Sequence, residues 1–191
     1  MNAVILNGSA KGDAAVSAVY DFLLEELPGF GWEVESFVLH DITITPCAGD
    51  FGCWVRTPGI CLVDDAARTI TMKAVQSDLL VLLTRITFGG YSSELKKALD
   101  RMISMISPFF TKVNGEVHHE PRYEAYPTLV ALGVLPEPDE ESEQIFRTLV
   151  ERNAVNLYNP AHRTEVLFAS EGPEKLRERV RAIFSEVEVC A

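Results

Sequence analysis

The sequence predicts a three-layer α/β domain, a parallel β-sheet with helices on both faces. Three observations predict it. Short apolar runs such as Leu79-Leu80-Val81-Leu82-Leu83 and Thr128-Leu129-Val130-Ala131-Leu132 show no polar alternation, as strands buried on both faces require. Between these runs, apolar residues recur at helical spacing, so strand and helix alternate along the chain. Finally, 191 residues with 47% apolar content suit one domain with one core, so residues 1–191 are read as a single domain.

Ala3-Val4-Ile5-Leu6 forms the first strand, and Asn7 to Asp13 the turn after it. Val16, Val19, Tyr20, Leu23, Leu24 and Leu27 then make one helical stripe, which Pro28-Gly29 ends. Val34 to Leu39 is the second strand. Asp41 to Val63 is irregular and holds Cys47, Cys53, Cys61 and the turn Thr57-Pro58-Gly59. Asp64 or Asp65 caps a helix with Ala67, Ile70, Ala74 and Val75 inward. Leu79 to Leu83 is the third strand. It passes through the glycine-bearing turn Thr84 to Tyr91 into a helix capped by Ser92 or Ser93. That helix buries Leu95, Ala98, Leu99, Met102, Ile103 and Ile106.

Residues 108–127 interrupt the alternation. Asn114-Gly115, between Thr111-Lys112-Val113 and Glu116-Val117-His118, predicts an inserted loop or hairpin. Thr128 to Leu132 is the fourth strand. The acidic turn Asp139-Glu140-Glu141 suits a helix N-terminus, and Ile145, Phe146, Leu149 and Val150 form that helix's inner face. Glu165 to Ala169 is the fifth strand. Pro173 opens a last helix with Leu176, Val180, Ile183, Phe184 and Val187 inward.

Five strands joined by right-handed helical crossovers fit a flavodoxin-like three-layer αβα sandwich, a five-stranded parallel sheet of order 2-1-3-4-5. Its switch point lies between strands one and three, where open α/β sheets bind ligands. The loops after Leu6 and after Leu83 both fall there. Asn7 to Asp13 has the parts of an anion site: Gly8 and Gly12 let the backbone curl, Ser9 brings a hydroxyl, Lys11 a charge and the next helix its free amides. The same residues also suit a plain turn with Lys11 in solvent. Thr84 to Tyr91 is long for such a connection. Its amides and aromatic pair suit a flat heteroaromatic ligand; alternatively Phe88 is core and Gly89-Gly90 only turns the chain.

A net charge of −11 and a pI near 4.8 argue against nucleic acid as a partner. No apolar run approaches the roughly 20 residues of a membrane span, and Met1 to Leu6 has no signal-peptide pattern. The expectation is a cytoplasmic protein with reduced thiols.

The strand leading into Asn7-Gly8-Ser9-Ala10-Lys11-Gly12, then Pro46-Cys47, Gly52-Cys53, Thr57 to Cys61 with Asp64-Asp65, and Thr84 to Tyr91 running into Leu95-Lys96-Lys97-Ala98-Leu99-Asp100-Arg101, resemble the NADPH-dependent FMN reductase group of flavodoxin-like proteins. The match runs in order through about Ser107. The resemblance implies FMN as cofactor and NAD(P)H as co-substrate. Ser9, Lys11 and Ser17 would hold the phosphate, and Thr84, Arg85, Ile86, Thr87, Phe88, Gly89 and Gly90 would embrace the flavin ring. Electrons would pass from NAD(P)H through flavin to a second small-molecule acceptor, such as a quinone or free flavin. The cofactor carries that chemistry, so no side chain is nominated as catalytic.

The chain departs from the group at Ala14 and Ala15, where a hydroxyl or amide residue is common, and at Arg85, where proline is common. Asp13 adds a carboxylate near the expected phosphate. Two other functions fit the same fold: an electron carrier without pyridine-nucleotide activity, and a cofactor-less interaction module. Some relatives carry an iron–sulfur cluster on a compact Cys-x-x-Cys arrangement, but here the gaps are five and seven residues, with Cys190 far away. No metal ligand is assigned, and His118-His119 would point to opposite faces of a strand. Cysteines that pack the loop, or a redox disulfide or reactive thiol at Cys53, are the readings for that segment. Trp54 would wall the flavin site or a subunit contact. The resemblance and the apolar segment Met102 to Phe110 imply a homodimer or higher homo-oligomer.

Overall fold

The computed structural model describes residues 1–187; Cys190 lies outside them. In chain order the elements are β1 (Asn2–Asn7), α1 (Ala14–Glu26), β2 (Glu33–Val38), α2 (Gly52–Val55), α3 (Ala66–Val75), β3 (Leu79–Arg85), α4 (Ser93–Arg101), β4 (Ile106–Val113), β5 (Glu116–Pro121), β6 (Thr128–Leu135), α5 (Glu140–Asn156), β7 (His162–Phe168) and α6 (Pro173–Ser185). The main sheet runs β2-β1-β3-β6-β7, all parallel. This is the flavodoxin-like order, with the antiparallel pair β4–β5 set apart from the sheet.

β3 shows why the central run lacks alternation. Leu80 and Leu82 join one core cluster with residues of α3, α4 and α5. Leu79, Val81 and Leu83 join the other, with residues of α1 and α6. Every position from Leu79 to Thr84 is therefore buried, and each fully buried leucine contributes roughly 1.5–3 kcal/mol. No single polar residue could enter the run without forfeiting a term of that size.

Several expected boundaries and faces shift. Leu24 and Ile145 are exposed, not inward, so the buried stripes of α1 and α5 are narrower than the apolar spacing suggests. α4 stops at Arg101; Met102–Met105 form a 3₁₀ turn and Ile106 begins β4. β6 runs to Leu135, because its pairing with β7 continues through Leu135 and Phe168.

Asp65, not Asp64, caps α3, its Oδ1 accepting the Ala67 N–H at 3.0 Å. The same carboxylate meets Arg101, whose guanidinium donates to both Asp65 oxygens (3.0 and 3.2 Å), to Thr45 O (2.7 Å) and to Val63 O (3.0 Å). Arg101 is almost fully buried. It holds both ends of the cysteine-bearing segment against α4. Burial alone would raise the Asp65 pKa; the Thr45 N–H, the Arg101 guanidinium and the Ala67 N–H outweigh it and lower the value.

Candidate functional site at the β1 and β3 edge

β1 and β3 pair from Ala3 and Leu79 to Asn7 and Leu83, so their carboxyl ends release two loops side by side. The loops are tied together. Gly8 N–H donates to Leu83 O at 2.8 Å, and Ser92 Oγ donates to Gly8 O at 2.6 Å. A Cβ on Gly8 would lie 2.6 Å from Leu95 Cβ, so a glycine is what lets the first loop approach α4. Ser92, not Ser93, caps α4 by accepting the Leu95 N–H, and its own N–H donates to Thr84 Oγ1 at 2.9 Å.

In the first loop, Asn7 Oδ1 accepts the Ser9 N–H at 2.9 Å, and His40 Nδ1 lies 3.0 Å from Ser9 O. Ser9 Oγ is buried without a hydrogen-bond partner. Among the described residues, the N–H groups of Ala10, Lys11 and Gly12 have no intramolecular acceptor. Lys11 is exposed, as is Ser17 one turn into α1. A buried orphan hydroxyl costs stability, whereas beside free amides it is the donor set an anion needs.

The second loop is partly closed on itself. Ile86 N–H donates to Val134 O (3.0 Å), and Thr87 and Gly90 exchange two backbone bonds of 3.0 and 2.9 Å. The Ile86 side chain is buried in the core. Phe88 and Gly89 take the turn at φ 51 and 72. Phe88 is fully solvent-exposed (101%), which excludes it from the core. Among the described residues, the N–H groups of Phe88, Gly89 and Tyr91 remain without intramolecular acceptors. Tyr91 closes the loop: Asn153 Nδ2 donates to its hydroxyl at 3.1 Å, and burial pushes its pKa up to about 12.

Arg85 and Asp13 join the two loops. Arg85 Nε and Nη2 donate to Asp13 Oδ2 and Oδ1 at 2.6 and 2.7 Å. Asp13 also caps α1, accepting the Val16 N–H at 3.3 Å. Burial alone would raise the Asp13 pKa; the Arg85 guanidinium and the helix amides outweigh it and lower the value. The pair is not visible in the sequence, since its partners are 72 positions apart.

A cavity of about 540 Å³ lies next to this edge and touches it only at Tyr91; Cys47, Cys53, Trp54, Leu99 and His119 also line it. Trp54 lines the same cavity as Tyr91. Its Nε1–H donates to Ile103 O and Ile106 O, and its ring meets His119 at 4.7 Å and Phe51 at 5.4 Å. His118 is turned instead toward Asn156 and Glu116. Cys47 is exposed, Cys53 buried and Cys61 half-buried, all as free thiols. Among the described residues, no group of three or more histidine, cysteine or acidic side chains is gathered closely enough for a metal ion.

Two loops side by side at the switch point of a five-stranded parallel sheet of this order define a flavodoxin-like protein. The chain belongs to the NADPH-dependent FMN reductase family, whose model matches residues 1–119. An iron-sulfur flavoprotein of Methanocaldococcus jannaschii is 28% identical over 101 residues, 53% of this chain and 51% of that protein. The chain spans about half the length of the curated relatives it matches. Among solved structures, NAD(P)H:quinone oxidoreductase from Methanothermobacter marburgensis has a TM-score of 0.75 at 15% identity, covering 98% of this chain and 99% of that one. An azoreductase from Bacillus anthracis str. Sterne has a TM-score of 0.71 at 11% identity, covering 98% and 100%. These likenesses show the fold.

The residues present fit FMN. Ser9 Oγ and the free amides before α1 would serve as phosphate donors, and the free amides of the Phe88 turn as partners for a ring edge.

Proposed function

We propose that this chain takes hydride from NAD(P)H onto FMN held at the β1 and β3 edge and passes the electrons to a small-molecule acceptor, a quinone or free flavin. FMN supplies the two-electron chemistry when bound. Ser9, Lys11 and Ser17, with the amides before α1, bind the phosphate. Residues 84–90 (Thr84, Arg85, Ile86, Thr87, Phe88, Gly89 and Gly90) orient the ring, chiefly through backbone, since the Ile86 side chain is turned into the core. Backbone N–H groups fixed near the ring favour its reduced, negatively charged form without reorganisation.

The observation that carries this reading is the state of the two loops. One holds a buried hydroxyl without a partner, and the other holds an exposed phenylalanine at positive φ. Both are costs to the fold that a bound ligand offsets. Titration of the protein with FMN, followed by visible absorption, tests it. Saturable uptake of one FMN per chain supports the proposal, and a protein that stays colourless contradicts it.

The same reading includes a homodimer or higher homo-oligomer, supported by Phe109, Phe110 and Val117, all about two-thirds exposed on the β4–β5 pair. A monomeric mass by light scattering would remove that part. A cytoplasmic setting belongs to the reading too, supported by the free thiols at Cys47, Cys53 and Cys61.

A further inference from the structure

We propose that the Asp13–Arg85 pair is the specificity device of the flavin site. The Asp13 carboxylate holds the anion position at the start of α1, and Arg85 is the cation that a flavin's phosphate must take over. This inference rests on the FMN reading above and adds to it a discrimination between phosphorylated and unphosphorylated flavin.

The geometry supports an exchange. A helix N-terminus attracts one anion. At α1 the chain supplies that anion itself, with the Asp13 side chain 7% exposed and both its oxygens occupied. The neighbouring donors are left unused: Ser9 Oγ is buried and unpartnered, and the amides of Ala10, Lys11 and Gly12 are free. A phosphate seated on those donors would stand close to the Asp13 charge, in a protein whose net charge is already −11. Like charges at such range oppose binding. Arg85 is the group able to reverse that balance. Its side chain is 35% exposed, and only two of its five N–H donors are used on Asp13. Guanidinium binds phosphate as readily as it binds carboxylate. Riboflavin, with the same ring and ribityl chain but no phosphate, asks nothing of this pair.

The experiment compares FMN and riboflavin affinities by fluorescence titration in the wild-type chain and in Asp13→Asn, Asp13→Ser and Arg85→Gln. Both Asp13 replacements remain good helix caps, and circular dichroism checks that each variant is folded. Removing the Asp13 charge is expected to tighten FMN binding roughly tenfold or more and to leave riboflavin binding within about twofold. Arg85→Gln is expected to weaken FMN several-fold more than riboflavin, lowering the FMN-to-riboflavin affinity ratio. An FMN-to-riboflavin affinity ratio unchanged in the Asp13 variants, or lowered by them, overturns the inference while leaving the FMN reading intact. Failure of every variant, and of the wild type, to bind either flavin overturns both.

Discussion

Asp13 is one residue with two physical duties: it caps α1 and neutralises Arg85. Phe88 is its opposite, a large apolar side chain with no intramolecular duty. Placing it fully in water at φ 51 is unfavourable twice over. If the ring is kept for the ligand, Phe88→Gly should change stability by no more than about 1 kcal/mol, since relief of positive φ offsets the added chain entropy. FMN affinity should nevertheless fall. Chemical denaturation and fluorescence titration measure the two effects separately, and a large stability loss would assign Phe88 to the fold instead. Among the thiols, burial raises the Cys53 pKa, and its neighbours Cys61, Cys47 and Asp50 raise it further. Nucleophilicity requires thiolate. Timed alkylation near neutral pH is therefore expected to label exposed Cys47 well before Cys53.

At the level of elements, the Asp65–Arg101 clamp is the feature with the most at stake. Arg101 has 1% of its side chain exposed and Asp65 11%. Removing the guanidinium leaves a nearly buried carboxylate and two backbone carbonyls without their donor. Arg101→Met should cost about 3 kcal/mol or more by urea denaturation. The pH sign follows from the depressed Asp65 pKa. Its contribution is complete above the ordinary carboxylate value of about 3.9 and is lost as pH falls through the lower folded value. The acid-side slope of stability in that window should flatten in Arg101→Met. Gly8→Ala should cost about 1–3 kcal/mol, because the new Cβ meets Leu95 Cβ rather than a flexible side-chain tip. Helix starts were readable from local chemistry: Asp65 and Ser92 were each one of two candidates, and both cap as an oxygen side chain should. Helix faces were less so. Leu24 and Ile145 sit at apolar spacing yet face water, because periodicity registers hydrophobicity and not the width of the groove a helix lies on.

For the whole molecule, the sheet order was legible because strand type and chain direction leave few arrangements open. Apolar runs without alternation, as in β3, fix a central parallel strand. The carboxyl edges of β1 and β3 then meet at the switch point by topology alone. What the sequence withheld was contact between distant positions. Asp13 with Arg85, Arg101 with Thr45, and Trp54 with His119 depend on tertiary placement, which no local pattern encodes. The cavity beside Tyr91 was withheld for the same reason, since it is bounded by the cysteine segment, α4, the β4–β5 pair and α5 together. The central claim remains that the β1 and β3 edge holds a flavin that accepts hydride from NAD(P)H. Anaerobic stopped-flow mixing of FMN-loaded protein with NADPH, followed by visible absorption, tests it most directly. Rapid bleaching of the bound flavin is the expected result; a bound flavin that stays oxidised in the presence of both NADPH and NADH would contradict hydride transfer at this edge.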